Sequence, residues 1–151
     1  MDSKAILAVP VGHAMTSGYF ERVNGHEPLN PPGNGLTAAL WVQSMGPVPA
    51  GSGLAATSAR LVFMVRLFAP AMQLPTDDID PNLMAATDAL MTAYSGDFEF
   101  GGQVRNVDLL GQAGIALSAE AGWVDYGDGA KFRVITITLP VIVNNAWTQA
   151  P

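Results

Sequence analysis

Residues 36 to 43, LTAALWVQ, and 60 to 68, RLVFMVRLF, alternate their side chains with a period of two around a connection rich in Gly, Pro, Ala and Ser. That period belongs to extended strands, whose successive side chains leave on opposite faces. Leu36, Ala38, Leu40 and Val42 would share one face, with Thr37, Ala39, Trp41 and Gln43 on the other. Leu61, Phe63, Val65 and Leu67 form the core side of the next strand. Its opposite side holds Arg60, Val62, Met64, Arg66 and Phe68, too apolar for open solvent and too charged for a plain core. A helix or another subunit is expected over it. No charged residue occurs between Glu27 and Arg60. Long apolar edges invite pairing unless charge or Pro blunts them, and this chain blunts them sparingly. The strand surface is therefore expected to be meant for neighbours.

The flanking segments supply helices. Ser3 is a candidate cap for a helix with Leu7, Val11, Met15 and Tyr19 on one side, kinked by Pro10 unless it begins there. The twelve residues from Asn24 to Gly35 hold three prolines and three glycines, which enforce a turning, extended path. The connection over 46–57 is long for a hairpin, and such loops often carry function. A second helix is expected from Asp80 as cap, through Pro81 in the first turn, to Gly96. Ile79, Leu83, Leu90 and Tyr94 make its apolar stripe, broadened by Met84 and Met91, while Asn82, Asp88, Thr92 and Ser95 face away.

Three more strands are expected. Phe98, Phe100, Gly102 and Val104 alternate, with a parity switch near Asn106 that implies a bulge or break. Leu117, Ala119, Ala121 and Trp123 form the next face. YGDGAK (126–131) signals a tight turn into FRVITITLPVIV, and Trp147 falls beyond that last strand. The order α-β-β-α-β-β-β predicts an α+β domain: a mixed, mostly antiparallel sheet of about five strands with helices on one face. We expect one domain over 1–151, comprising an N-terminal helical segment (1–23), a Pro/Gly loop (24–35), a core (36–143) and a tail (144–151).

Several function classes are disfavoured. Charged residues form 13% of the chain, against about 25% in typical soluble domains. A net charge of −6 offers phosphate no general attraction, and the arginines are spread rather than clustered. The chain has no cysteine, which excludes disulfides and thiolate metal sites. No apolar run reaches the roughly 18 residues of a membrane span, and the start is too weakly basic for a signal peptide, so a protein made in the cytoplasm is expected.

No catalytic, cofactor or metal residues emerge either. His13 and His26 lack a second ligand at metal spacing. HEP at 26–28 has Asn30 where a zinc-protease motif needs its second His, so His26 is expected to hydrogen-bond within its loop. Asp77, Asp78 and Asp80 read most simply as carboxylates meeting the unpaired N–H groups of a helix start. Asp125 and Asp128 do not match a calcium loop. GNG and GGQ lack phosphate-loop spacing, and no G-x-S-x-G occurs.

Five segments together resemble tail terminator proteins of long-tailed (siphovirus-type) actinobacteriophages. They are FERVNGHEPLNPPGNGLTAALWV (20–42), GLAATSARLVFMVRLF (53–68), DDIDPNLMAATDALMTAYSGDF (77–98), VRNVDLLGQAG (104–114) and RVITITLPVIVNNAWTQ (133–149). The resemblance covers most of the chain after residue 20, while Pro10 and Gly12 fit least well. It implies a ring, expected to be a hexamer, that caps the tail tube, stops its polymerisation and offers a surface to the head-side neck protein. DNA would pass the ring's channel without specific binding, in a virion assembled in the host cytoplasm. The resemblance carries no catalytic residues.

A closed ring needs head-to-tail contacts between two different faces of each subunit. The expected contacts are the 24–35 loop with His26, the 46–57 loop with Pro49, the strand face bearing Arg60, Val62, Met64 and Arg66, and Trp41 and Trp147. Two alternatives stay open: Arg60 and Arg66 could pair with carboxylates of the same subunit, and Trp147 could plug the local core. Another head–tail connector ring is the second functional reading. A small hydrolase or ligand-binding domain using His26 and the acidic cluster is the third.

Overall fold

The computed structural model describes residues 1–27, 35–49, 55–70, 76–127 and 131–148. Helix α1 (Ser3–Thr16) is followed by β1 (Arg22–Asn24), β2 (Thr37–Val48), β3 (Ala56–Pro70), α2 (Ile79–Gly96), β4 (Asn106–Val107), β5 (Ser118–Asp125) and β6 (Lys131–Thr148). The fold is α+β, with two helices and a curled, mixed, six-stranded sheet. The strands lie in the order β1-β2-β3-β6, and β4 and β5 share the far edge of β6. Only β1 on β2 is parallel. Most of the Pro/Gly loop (28–34), the tip of the β2–β3 connection (50–54) and part of YGDGAK (128–130) lie outside the described residues.

The alternation in β3 places its core as expected. Leu61, Phe63, Val65 and Leu67 are buried with Ile137, Leu139 and Val141 of β6, and α1 and α2 close this face through Ile6, Ala14, Leu83, Leu90 and Tyr94. Both central strands run longer than expected. β2 reaches Val48 across a bulge at Gln43, shortening the connection predicted over 46–57. β6 continues to Thr148, so Trp147 pairs with Thr57 inside the strand instead of lying beyond it.

The helices correct several expectations. α1 buries Ile6, Pro10 and Ala14 rather than Leu7, Val11, Met15 and Tyr19, and Met15 stands 67% exposed. Both stripes are apolar; small Ala14 and compact Pro10 permit the closer approach, and the Tyr94 hydroxyl donates to the Pro10 carbonyl at 3.3 Å. The helix continues through Pro10, whose ring removes one internal N–H. Asp2, not Ser3, caps it, accepting from the Ala5 N–H at 3.1 Å. In α2 the cap position is Asp78, and the Asp80 carboxylate instead meets Arg133 of β6 at 3.0 Å. The Ile79, Leu83, Leu90 and Tyr94 stripe of α2 is buried as read, whereas Met91 is half-buried and Met84 is 64% exposed.

The strand expected over 98–104 is absent. A turn and a 3-10 helix (Phe100–Gly102) stand there, with φ of 49° at Phe100, 64° at Gly101 and 93° at Gly102. Two glycines make left-handed backbone accessible, and the Asp97 carboxylate fixes the turn by accepting from the Gly101 N–H at 3.0 Å. Phe100 and Val104 still reach the core, so their alternation reported burial without a strand.

The parity switch near Asn106 marks where edge pairing begins, since no strand stands over 98–104 before β4, and that edge is short. Backbone N–H groups of Arg105 and Asp108 donate to the carbonyls of Ile142 and Pro140. Even-numbered β6 residues therefore turn their polar backbone toward the β4–β5 edge. Pro140 has no N–H to offer there. Opposite it the edge leaves the ladder after Val107 and rejoins at Ser118. The intervening residues form a closed loop: the Leu117 N–H donates to the Asp108 carbonyl at its neck.

Candidate assembly interface

The residues singled out for assembly fall on separate surfaces. On the β3 face away from the helices, where a helix or another subunit was expected, Val62 is 2% exposed and Phe68 is fully buried. The cover comes from the same chain. Phe68 packs with Ala39, Phe132 and Val134, and Trp41, Val124 and Tyr126 lie against them. Phe68, Tyr126 and Phe132 stack at centroid separations of 5.8–6.5 Å.

Both arginines are partnered within the chain by groups other than carboxylates. The Arg66 guanidinium lies 5.4 Å over the Trp41 ring, and its Nε donates to Thr136 Oγ1 at 2.9 Å. Arg60 donates to the Ala113 carbonyl in the loop between β4 and β5. No carboxylate reaches either guanidinium at ion-pair distance among the described residues. Arg66, half-buried Met64, Thr136, Thr138 and Glu120 line a groove of about 290 Å³ where β5 curls over the sheet. Burial pushes the Tyr126 hydroxyl pKa up; the nearby Arg66 charge opposes this and the Glu27 charge adds to it. Of the other expected contacts, His26 and Pro49 are exposed and Trp147 is 40% exposed.

Sequence reasoning missed the loop between Val107 and Ser118 as an organised feature. The Asp108 carboxylate, 3% exposed, accepts from the N–H groups of Gln112 at 2.9 Å and Ala113 at 2.8 Å. Gly111 takes a φ of 76° and Gly114 one of 109°, and Arg60 clamps the returning limb. The loop presents Leu110 at 85% exposure. Its sequence signal was Pro140 opposite a glycine-flanked segment, a long-range pairing that no local pattern displays.

A second missed pair joins the helices. His13 Nε2 lies 2.9 Å from Asp97 Oδ2, and the His13 ring meets Tyr94 edge-on at 6.0 Å. The His13 hydrogen bond is the main cause holding the Asp97 carboxyl below its usual pKa. The two residues are 84 positions apart, beyond any motif spacing. Among the described residues, no three His, Asp or Glu side chains gather into a metal-binding group, and no helix is long and apolar enough to cross a membrane.

Three of the exposed large apolar side chains lie at the sheet margins, Val42 and Met45 on β2 and Trp123 on β5, while others such as Met1, Tyr19, Phe98 and Leu109 lie elsewhere. Trp123 is 61% exposed, with the Arg133 guanidinium 5.1 Å over its ring. Among the described residues no strand pairs with the outer edges of β5 or of β2 beyond Ala39, and such edges with apolar side chains suit strand addition. No protein-family model and no curated protein matches the chain.

Proposed function

We propose that this chain is a structural ring subunit of the tail terminator kind, capping a phage tail tube and presenting its other face to the neck. The observation that carries the reading is a charge-poor sheet whose two margins expose Val42, Met45 and Trp123 while its broad faces are filled from within. A subunit with two different sticky margins associates head to tail, and such contacts close into a ring when the rotation permits. The α+β architecture agrees with the fold that the resemblance implies.

In this reading the ring works by geometry. It occupies the growing end of the tube and denies the next tube subunit its docking surface. The chain's net charge of −6 suits a channel wall that DNA must pass without adhering.

Native mass spectrometry of the purified chain, alone and with tail tube protein, tests the proposal. A closed oligomer is expected; a strict monomer under both conditions would overturn it. Deleting the gene in its phage separates the alternatives. A terminator mutant gives over-long or unjoined tails, whereas normal-length tails beside leaking heads would reassign the chain to another connector ring.

A further inference from the structure

The two margins of the sheet match one another. On β6 the even-numbered residues point their backbone groups toward β5, so their partners Ser118, Glu120, Gly122 and Val124 point back. Ala119, Ala121 and Trp123 therefore turn N–H and C=O outward, where no strand meets them among the described residues. The same alternation carried through β3 turns Leu40, Val42, Met45 and Pro47 of β2 outward. β1 pairs only with Thr37, Ala38 and Ala39, and among the described residues no strand meets the outer side of β2 beyond them. Pro47 confirms the parity, since Pro is tolerated in a ladder only where its missing N–H faces away.

The side chains on these margins also agree. Ala119, Ala121 and Trp123 stand opposite Ile137, Ile135 and Arg133, on the helix-bearing face. Val42 and Met45 stand opposite Phe63 and Leu61, on that same face. If β5 were laid beside β2 of another molecule, the exposed Trp ring and the exposed Val and Met would meet on one side of a continuous sheet. β5 has no Lys, Pro or bulge to resist pairing.

We propose that the outer edge of β5 pairs with the outer edge of β2 in a second copy, Trp123 packing on Val42 and Met45 of that neighbour. The inference rests on the ring reading above and names its contact. The two edges end the same sheet on opposite sides, so the pairing is head to tail and leaves each copy with one free edge of each kind until closure. β1, which ends against Ala39, and Pro47 confine the β2 half to the segment around Leu40–Met45, which carries the Gln43 bulge. A β5–β5 pairing would instead close a two-fold dimer and leave Val42 and Met45 uncovered.

The absence of cysteine makes cross-linking clean. Full-length Val42→Cys/Ala121→Cys and Met45→Cys/Trp123→Cys chains are oxidised and run without reductant, beside each single variant and wild type in native mass spectrometry. The expected result is a covalent ladder ending at the ring size in at least one double variant, with single variants uncross-linked. Covalent dimers from Ala121→Cys alone, or no ladder in either double variant while wild type forms its ring, would overturn the β5–β2 contact and leave the ring reading standing. A wild-type chain that stays monomeric, with or without tube protein, would overturn both. Ala121→Pro gives a second measure, because it deletes an outward N–H and spares the internal ladder. It is expected to lose the assembled species while keeping the monomer's circular dichroism; a ring of unchanged stability from folded protein counts against the contact.

Discussion

Replacing Asp108 by Ala removes two hydrogen bonds from a carboxylate that is 3% exposed, one from Gln112 at 2.9 Å and one from Ala113 at 2.8 Å. Hydrogen bonds to charged groups contribute about 1.5–3 kcal/mol each. Gln112 is itself exposed, so water recovers part of the loss and the lower half of that range applies. The expected cost is about 3 kcal/mol, equivalent to a fall in Tm of about 6–12 °C for a chain of this size. Asp108→Asn keeps one acceptor but turns an NH₂ toward a backbone N–H, so it should cost about 2 kcal/mol. Urea unfolding measures the totals, and hydrogen exchange at the Gln112 and Ala113 amides locates them. Both amides should lose protection while α2 keeps its own. A loss below about 1 kcal/mol with unchanged exchange at these amides would show that something other than this carboxylate holds the loop.

Three other outcomes follow from the packing. Leu90 of α2 is fully buried, so Leu90→Ala should cost about 2–5 kcal/mol in urea unfolding. Gly111 has a φ of 76°, and a Cβ there would lie 3.1 Å from the Ala116 nitrogen; Gly111→Ala should cost about 1–2 kcal/mol or more, with the excess exchange confined to 108–117. The folded Asp97 carboxyl sits below its ordinary pKa, chiefly through the His13 hydrogen bond, so the unfolded chain binds the proton more readily. That contribution is complete above the unfolded value of about 3.9 and disappears as pH falls through the folded value. The pair is partly exposed, at 27% and 35%, so Asp97→Asn should cost about 0.5 kcal/mol near neutrality. The gap from wild type should close in melts at acidic pH, and a gap that widens on acidification would refute the sign.

Legibility in the sequence followed how local the cause was. β3 could be read residue by residue because period two and burial on one face coincide in Leu61, Phe63, Val65 and Leu67. α2 was readable for the same reason at its own period, apart from its first two residues and the exposed Met84. Segment 98–104 failed because the alternation of Phe100 and Val104 reports burial, while φ at Gly101 and Gly102 decides the path. α1 offered two apolar stripes, and the choice between them depended on Tyr94 of the other helix. The loop between β4 and β5 depended on Pro140, which follows it in the chain by more than twenty residues. The proposed assembly surface was the least legible part. Periodicity assigns side chains to faces but does not tell which strands end a sheet.

That distinction relocates the surplus apolar surface. On sequence alone, Val62, Met64 and Phe68 beside two arginines argued for a helix or another subunit over the β3 face. The chain covers much of that face itself with Tyr126, Phe132 and the curl of β5. The arginines become internal fasteners, Arg66 to Thr136 and Trp41, Arg60 to the loop carbonyl of Ala113. A guanidinium satisfied by a hydroxyl, a carbonyl or an indole face still carries its charge, but its directional donors are partly spent, so it is a poorer anchor for a partner's carboxylate. At the margins the balance is reversed. Backbone donors on alternate β5 residues face outward, and the adjoining side chains are Ala119, Ala121 and Trp123, with little polar competition for a partner strand. Few charges are then a condition for assembly, since a Lys or Glu at those outward positions would have to be stripped of water when the strands paired.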